Sequence, residues 1–214
     1  MGIDALVLDF GGPVLKTPFE LRDIGERRAG LAPGALAWTG PFDPVRDGDW
    51  RDLQAGLITE REYWQRRAVE FSELTGAAPT FQAMMQYLFE IDEDDMLRAG
   101  ARALVADAKN SGYKVAVLTN DMKAFHGQAW VDRMTILHDL DALVDGSVEH
   151  LLKPDPAIYE LLIERLGVAA PECLFVDDQP ANIAGAEAVG MQTIWFDVLN
   201  PDLSYEQVRG VLSL

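Results

Sequence analysis

The sequence predicts an α/β protein with a doubly wound, Rossmann-like parallel sheet as its core and a mainly helical insertion. Three observations predict this fold class. Short apolar runs each end in polar residues, helical periodicity fills most of the intervals between them, and one long interval after the first run breaks the alternation. The length of 214 residues suits one large domain that carries a smaller insertion.

Four apolar runs are interpreted as strands of one sheet. Continuous rather than alternating hydrophobicity is typical of parallel strands that are buried on both faces. The runs cover residues 5–8, 115–118, 173–176 and 193–196. Asp9, Thr119 and the pair Asp177-Asp178 stand at the ends of the first three runs. Ligands of doubly wound sheets bind at the carboxyl ends of the strands, so we expect a site there.

Residues at helical spacing predict the covering helices. The predicted helices span 97–108, the segment from Pro156 to Gly167, 182–189 and 205–212. Proline near the start and glycine after the end of the second segment are typical helix boundary signals. Alternation of these helices with the strands favours the doubly wound arrangement.

Residues 16–95 are predicted to form the helical insertion, because a compact domain does not tolerate so long a structureless connection. Thr59 and Glu62 have the spacing of a capping box and predict a helix start. Trp38, Trp50 and Trp64 either pack inside this insertion or offer a stacking surface to a ligand. The expected domains are an α/β core of residues 1–15 and 96–214 and a cap of residues 16–95.

Composition restricts the class of partner. With 18 basic and 35 acidic residues the net charge is −17, and a strongly acidic chain without a basic patch repels nucleic acid and anionic membranes. No apolar run approaches the roughly 20 residues needed to span a bilayer. Because the N-terminus lacks a signal-peptide pattern and Cys173 is the only cysteine, we expect a soluble, cytoplasmic protein. The oligomeric state is not indicated.

The polar residues at the strand ends predict a metal site. Asp9, Asp177 and Asp178 would place up to three negative charges in one cleft, which is unfavourable unless a cation lies among them. All-oxygen ligation favours Mg²⁺, which commonly binds one or two carboxylates together with a substrate phosphate.

A second group of residues supplies donors to the same cleft. Thr119, Asn120 and Lys153 offer a hydroxyl, an amide and one positive charge, as a transferring phosphoryl group requires. Asp9 would then be the nucleophile and would form an aspartyl-phosphate that water hydrolyses. The candidate substrate-binding residues are Gly12, Thr119, Asn120 and Lys153.

Four segments in order resemble the motifs of the haloacid dehalogenase superfamily of hydrolases, in its subfamily with a helical cap after the first strand. The segments are DFGGPVL (9–15), LTND (118–121), KPDPAIY (153–159) and FVDDQPANI (175–183). The resemblance implies that Asp9 is the nucleophile and that Thr119 and Lys153 bind the transferring group. It also implies that Mg²⁺ is held by Asp9, the backbone carbonyl of Gly11, Asp177 and Asp178.

Gly11 departs from the pattern of the family's phosphatases, which usually have a second aspartate two positions after the nucleophile. That aspartate protonates the leaving alcohol and then activates water, so this chain lacks the expected acid. The leading hypothesis is a Mg²⁺-dependent phosphatase of a small phosphorylated metabolite. The alternatives are a 2-haloacid dehalogenase-like hydrolase, a phosphotransferase or mutase, and a non-catalytic protein that binds a phosphorylated metabolite.

Overall fold

The computed structural model describes residues 2–214 and divides the chain into two compact units. One unit comprises Met1–Leu15 and Glu93–Leu214, and the other comprises Lys16–Asp92. Among the helices of residues 2–214, none has both the length and the apolar character needed to cross a membrane.

The first unit contains a five-stranded parallel sheet, which confirms the predicted fold class. Its strands are β1 (Ala5–Leu8), β2 (Lys114–Thr119), β3 (Ala142–Asp145), β4 (Cys173–Asp177) and β5 (Gln192–Trp195). The strand order is β3-β2-β1-β4-β5, with Leu8 opposite Val117 on one side and Val176 on the other. The order reverses between β1 and β4, and this switch point is where open α/β sheets bind ligands.

Helices cover both faces of this sheet. Those of the first unit are α5 (Glu93–Met96), α6 (Ala99–Asn110), α7 (Met122–His126), α8 (Gln128–Arg133), α9 (Gly146–Glu149), α10 (Pro156–Leu166), α11 (Pro180–Ala188) and α12 (Pro201–Leu212). Short 3₁₀ turns occur at Thr135–Leu137 and Ala170–Glu172. Helices α10 and α11 pack on the face that carries Ala5 and Val7. Helices α6 and α12 pack on each other and on β2 and β5, so β1 is fully buried.

Three local features differ from the sequence interpretation. Strand β3 was not among the predicted strands, because its apolar run is only three residues long, from Ala142 to Val144, and it lies at the edge of the sheet. Leu97 does not belong to helix α6, since it forms an isolated antiparallel bridge with Leu15. Helices α11 and α12 begin at Pro180 and Pro201, earlier than the periodicity alone indicated.

The second unit is helical. Its helices are α1 (Arg22–Arg28), α2 (Gly48–Gln54), α3 (Glu60–Thr75) and α4 (Phe81–Phe89), with a 3₁₀ turn at Gly40–Phe42. The predicted capping box is confirmed at the start of α3: the Glu62 amide donates to Thr59 Oγ1 at 3.2 Å, and the Thr59 amide donates to Glu62 Oε2 at 2.7 Å. These bonds satisfy two of the amides that a helix start leaves unpaired.

An aromatic cluster forms the core of this unit. Phe19 contacts Trp38, Trp50 and Trp64, with ring centroids 5.2–6.0 Å apart. Trp38 is fully buried, and Trp64 is nearly so. The structure therefore favours packing as the role of these tryptophans.

A buried carboxylate joins the aromatic cluster to the start of α2. Asp47 accepts the Tyr63 hydroxyl at 2.7 Å, the amides of Thr39 and Gly40 at 3.0 Å, and the Trp50 amide at 3.0 Å. Burial alone would raise the pKa of Asp47, but these hydrogen bonds outweigh it and lower the pKa. Four donors thus compensate one buried charge.

Candidate active site

Three carboxylates meet where the strand order reverses. Asp9 directly follows β1, Asp177 ends the neighbouring strand β4, and Asp178 comes next. One carboxylate oxygen from each residue lies within 4.8 Å of the others. The structure therefore brings together the three acidic residues that the sequence analysis selected.

Lys153 joins two of these carboxylates. Its Nζ donates to Asp9 Oδ1 at 2.8 Å and to Asp177 Oδ2 at 2.7 Å. The lysine is 5% exposed, so the two ion pairs are shielded from water. One ammonium group is thus shared by two buried carboxylates from different strands.

Asn120 holds the backbone that carries this lysine. The Lys153 amide donates to Asn120 Oδ1 at 2.7 Å, and Asn120 Nδ2 donates to the Lys153 carbonyl at 3.3 Å. Both ends of the Asn120 amide therefore bond to Lys153. Asn120 was predicted to bind substrate, and in the structure its side chain positions the backbone of Lys153.

Asp177 accepts hydrogen bonds from three different residues. In addition to Lys153, it accepts the Gln179 amide at 2.7 Å and Asn182 Nδ2 at 3.1–3.2 Å. Asp177 is fully buried, whereas Asp178 is partly exposed. Asn182 was not selected from the sequence, although its place five residues after Asp177, within the first turns of α11, is a signal that such a contact is possible.

Thr119 is the last residue of β2 and is 6% exposed. Within residues 2–214 its hydroxyl makes no hydrogen bond to another group of the protein. A hydroxyl at a strand end, with its donor and acceptor uncommitted, is suited to contact a bound oxyanion.

Gly12 brings the loop after β1 close to Asp178. Its φ is +87°, in the left-handed region, and a Cβ atom there would lie 2.9 Å from Asp178 Cγ. Any other residue would combine backbone strain with a steric clash against the carboxylate. Gly12 therefore has a clear role in packing, and no contact in the structure identifies it as a ligand-binding group by itself.

Gly11 is exposed and its carbonyl is uncommitted. In the same loop the Gly12 amide donates to the Leu15 carbonyl at 3.1 Å, and the Leu15 amide donates to the Phe10 carbonyl at 2.8 Å. Across the described residues, no donor reaches the carbonyl of Gly11. An unpaired carbonyl next to an acidic cluster adds a fourth oxygen that could contact a cation.

Electrostatics make the cluster receptive to positive charge. Burial raises the pKa of Asp9 to about 7; Lys153 opposes this rise and the Asp177 charge adds to it. Burial would lower the pKa of Lys153, but the two carboxylates outweigh it and raise this pKa above its ordinary value. Three carboxylates face one ammonium, so a cation would relieve the remaining repulsion. Carboxylate and carbonyl oxygens are the ligands that Mg²⁺ prefers, and the residues present fit this ion.

An open parallel sheet with an acidic cluster and a buried lysine at its switch point defines an α/β enzyme. Residues 3–190 match the model of a hydrolase family, the haloacid dehalogenase-like hydrolases. The chain belongs to this family.

Curated relatives share the family but differ in activity. Phosphoserine phosphatase of Thermus thermophilus is 28% identical over 82% of the chain and 66% of its own length. (S)-2-haloacid dehalogenase 4A of Burkholderia cepacia is 31% identical over 68% of the chain and 66% of its own length. A mouse protein, acyl-CoA dehydrogenase family member 10, is 24% identical over 97% of the chain. The chain spans less than two thirds of these relatives, and only 19% of the mouse protein.

Solved structures share the fold at low sequence identity. The HAD-hydrolase YfnB of Bacillus subtilis, bound to magnesium, superposes with a TM-score of 0.73 at 17% identity and covers 100% of both chains. The enzyme BT-2542 of Bacteroides thetaiotaomicron, as an Asp-to-Ala mutant in complex with magnesium and inorganic phosphate, gives a TM-score of 0.55 at 18% identity, over 92% of this chain and 95% of that chain. At such identities the likeness establishes the fold.

Proposed function

We propose that this hydrolase is a Mg²⁺-dependent phosphatase of a small phosphorylated metabolite. The observation that carries the proposal is the buried lysine shared by Asp9 and Asp177, beside Asp178 and the uncommitted Gly11 carbonyl. This set offers a nucleophile, oxygen ligands for a cation and one fixed positive charge. In this proposal the Lys16–Asp92 unit is the helical cap.

The proposed metal ligands are Asp9, the Gly11 carbonyl, Asp177 and Asp178. When bound, Mg²⁺ supplies the positive charge that lets an anionic phosphate approach a cluster of carboxylates. Asp177 already accepts three donors, whereas Asp178 is partly exposed. Asp178 is therefore the carboxylate better placed to exchange contacts with solvent for contacts with an ion.

Asp9 is the proposed nucleophile. Lys153 bonds to its Oδ1, and the other oxygen, Oδ2, attacks phosphorus. The new O–P bond forms as the bond to the leaving alcohol breaks, and the alkoxide takes a proton from water. A second water then attacks the phosphorus of the aspartyl-phosphate, which releases inorganic phosphate and a proton and restores the Asp9 carboxylate.

Lys153 and Thr119 are the proposed contacts to the transferring group. The ammonium is held by two carboxylates and the Asn120 amide, so its position is set before a substrate arrives. Fixed positive charge and a hydroxyl aimed at developing negative charge lower the barrier without reorganisation during the reaction.

The substrate class rests on relatives as well as on charge. Phosphoserine phosphatase of Thermus thermophilus acts on a small phosphate ester, and BT-2542 is known with bound phosphate. Gly11 supplies no acid for the leaving group, which favours esters whose alcohol departs without protonation.

A dehalogenase is the second candidate, and Gly11 is the observation that favours it. A departing halide needs no proton, so the missing acid would cost such a reaction nothing, and a relative from Burkholderia cepacia is a 2-haloacid dehalogenase. The acidic pair Asp177-Asp178 opposes it, because both carboxylates would repel a carboxylate substrate and the departing anion.

The test compares phosphate and halide release by the same preparation. Wild-type protein should hydrolyse an aryl phosphate in Mg²⁺ and lose this activity in a chelator, while Asp9→Asn falls to background. Asp145→Asn is the matched control: Asp145 is also a buried aspartate at a strand end, but it caps α9. Hydrolysis that survives chelation, or halide release from a 2-haloacid without phosphate release, would contradict the phosphatase proposal.

A further inference from the structure

Three successive carbonyls of the loop after β1 accept hydrogen bonds from residues outside the loop. Gly12 O accepts Arg98 Nε at 2.5 Å, Pro13 O accepts the Tyr205 hydroxyl at 2.7 Å, and Val14 O accepts the Arg98 amide at 3.0 Å. The carbonyls on either side of this stretch, at Phe10 and Leu15, bond within the loop. Among the described residues, no donor bonds to the Gly11 carbonyl, which lies between Phe10 and Gly12.

The two side chains that donate to these carbonyls are buried. Arg98 and Tyr205 are each 6% exposed. The Arg98 guanidinium lies 5.6 Å above the Phe196 ring, and the Tyr205 ring packs edge-on against Phe196 at 5.2 Å. A Cβ atom at Gly100 would lie 2.4 Å from the Tyr205 ring, so this glycine of α6 makes room for the tyrosine.

We propose that Arg98 and Tyr205 are positioning residues for the metal site. Their hydrogen bonds to the carbonyls of residues 12–14 restrict the loop to one conformation. In that conformation the Gly11 carbonyl stays unpaired beside Asp9. Without the clamp the loop can rotate its peptide groups, and the fourth oxygen ligand is no longer fixed. The inference rests on the proposed function, since it assigns these residues to the same Mg²⁺ site.

The purely structural alternative is that the clamp only stabilises the fold. A Tyr hydroxyl that donates to a backbone carbonyl also occurs away from the loop, where Tyr113 donates to the Leu212 carbonyl. Both bonds involve helix α12 and the same pair of chemical groups. Tyr113→Phe is therefore a matched control for Tyr205→Phe.

The experiment measures Mg²⁺ binding to the metal-free protein by calorimetry, together with the melting temperature in chelator and the kinetics on an aryl phosphate. We expect both Tyr→Phe variants to lower the melting temperature to a similar extent. Only Tyr205→Phe should weaken Mg²⁺ binding, by about 10–100-fold, as loss of a group that orients metal ligands commonly does. At saturating Mg²⁺ its KM for the ester should stay near the wild-type value.

Arg98 is tested by a conservative pair. Arg98→Lys keeps the charge and a donor near the Gly12 carbonyl, whereas Arg98→Met keeps only the apolar length. We expect the lysine variant to retain more Mg²⁺ affinity than the methionine variant at a comparable melting temperature.

The outcomes separate this inference from the proposed function. Wild-type protein that binds no Mg²⁺ and releases no phosphate would overturn the proposed function, and the inference with it. Wild-type protein that binds Mg²⁺ and turns over, while Tyr205→Phe matches Tyr113→Phe in Mg²⁺ affinity, would overturn the inference alone.

Discussion

Replacing Lys153 by methionine tests whether its ammonium holds the two buried carboxylates together. The substitution keeps most of the side-chain length and removes the charge that bonds to Asp9 and Asp177 at 2.8 and 2.7 Å. Removing one partner of a buried ion pair costs about 3–5 kcal/mol, because the remaining charge is left uncompensated. For a chain of this size about 1 kcal/mol corresponds to 2–4 °C, so the melting temperature should fall by roughly 6–20 °C.

The assay is thermal unfolding in chelator, so that no cation replaces the lysine. Lys109→Met is the matched control, because Lys109 pairs with Asp141 at 2.8 Å and both side chains are 33% exposed. Such a surface pair contributes only about 0–1 kcal/mol. The pH adds a second check. Since burial raises the pKa of Asp9 to about 7, acid neutralises one of the repelling charges, and the loss should be smaller at pH 6 than at pH 9.

Two results would refute this reasoning. A Lys153→Met protein that melts within a degree or two of Lys109→Met at pH 9 in chelator would show that the lysine does not compensate the carboxylates. A loss that is the same at pH 6 and pH 9 would show that Asp9 is not the group whose charge becomes unfavourable.

Three further predictions concern single side chains. Because the pKa of Asp9 is raised in the folded state, the free energy of unfolding of the metal-free protein should fall by about 1.4 kcal/mol per unit as the pH rises from 4 to 7. Asp9→Asn should remove this contribution when the unfolding free energy is measured with urea at several pH values. The same pH dependence in the wild-type and Asp9→Asn proteins would refute the raised pKa. Gly11→Asp should raise the turnover of alkyl phosphates by about 10²–10⁴-fold while an aryl phosphate gains little; equal kcat/KM for the alkyl ester before and after the change would show that another group supplies the acid. Tyr63→Phe leaves Asp47 short of one of its four donors, so urea unfolding should show a loss of about 1–3 kcal/mol, and an unchanged midpoint would show that water takes over the bond.

The sequence was informative where burial leaves a strong pattern. Strands β1, β2 and β4 are covered on both faces, so their apolar runs stood out and placed Asp9, Thr119 and Asp177 at one edge of the sheet. Strand β3 lies at the edge with a run of three apolar residues, which is too short to separate from a turn. Its existence depends on pairing with β2, a contact that local composition does not record.

The conformations of the two loop glycines could not be told apart from the sequence. Gly11 and Gly12 are adjacent and chemically identical, yet only Gly12 has a positive φ and a close approach to Asp178. A Cβ at Gly11 would meet only Asp9 Oδ2, at 3.9 Å, so the first carbon of a side chain has room there. The hydrogen bonds of Asn120 and Arg98 were equally hidden, because their partners lie 33 and 86 residues away.

The central position of β1 sets the order in which this chain can mature. The strand is made first, but its two neighbours, β2 and β4, begin only at Lys114 and Cys173. During synthesis β1 must therefore wait, unpaired and apolar, until more than a hundred further residues have emerged. Such non-local pairing slows folding and leaves the apolar strand β1 exposed, where it can aggregate or bind chaperones. The acidic pair Asp177-Asp178 can reach Asp9 only after β4 has paired with β1, so the carboxylate cluster forms late in folding.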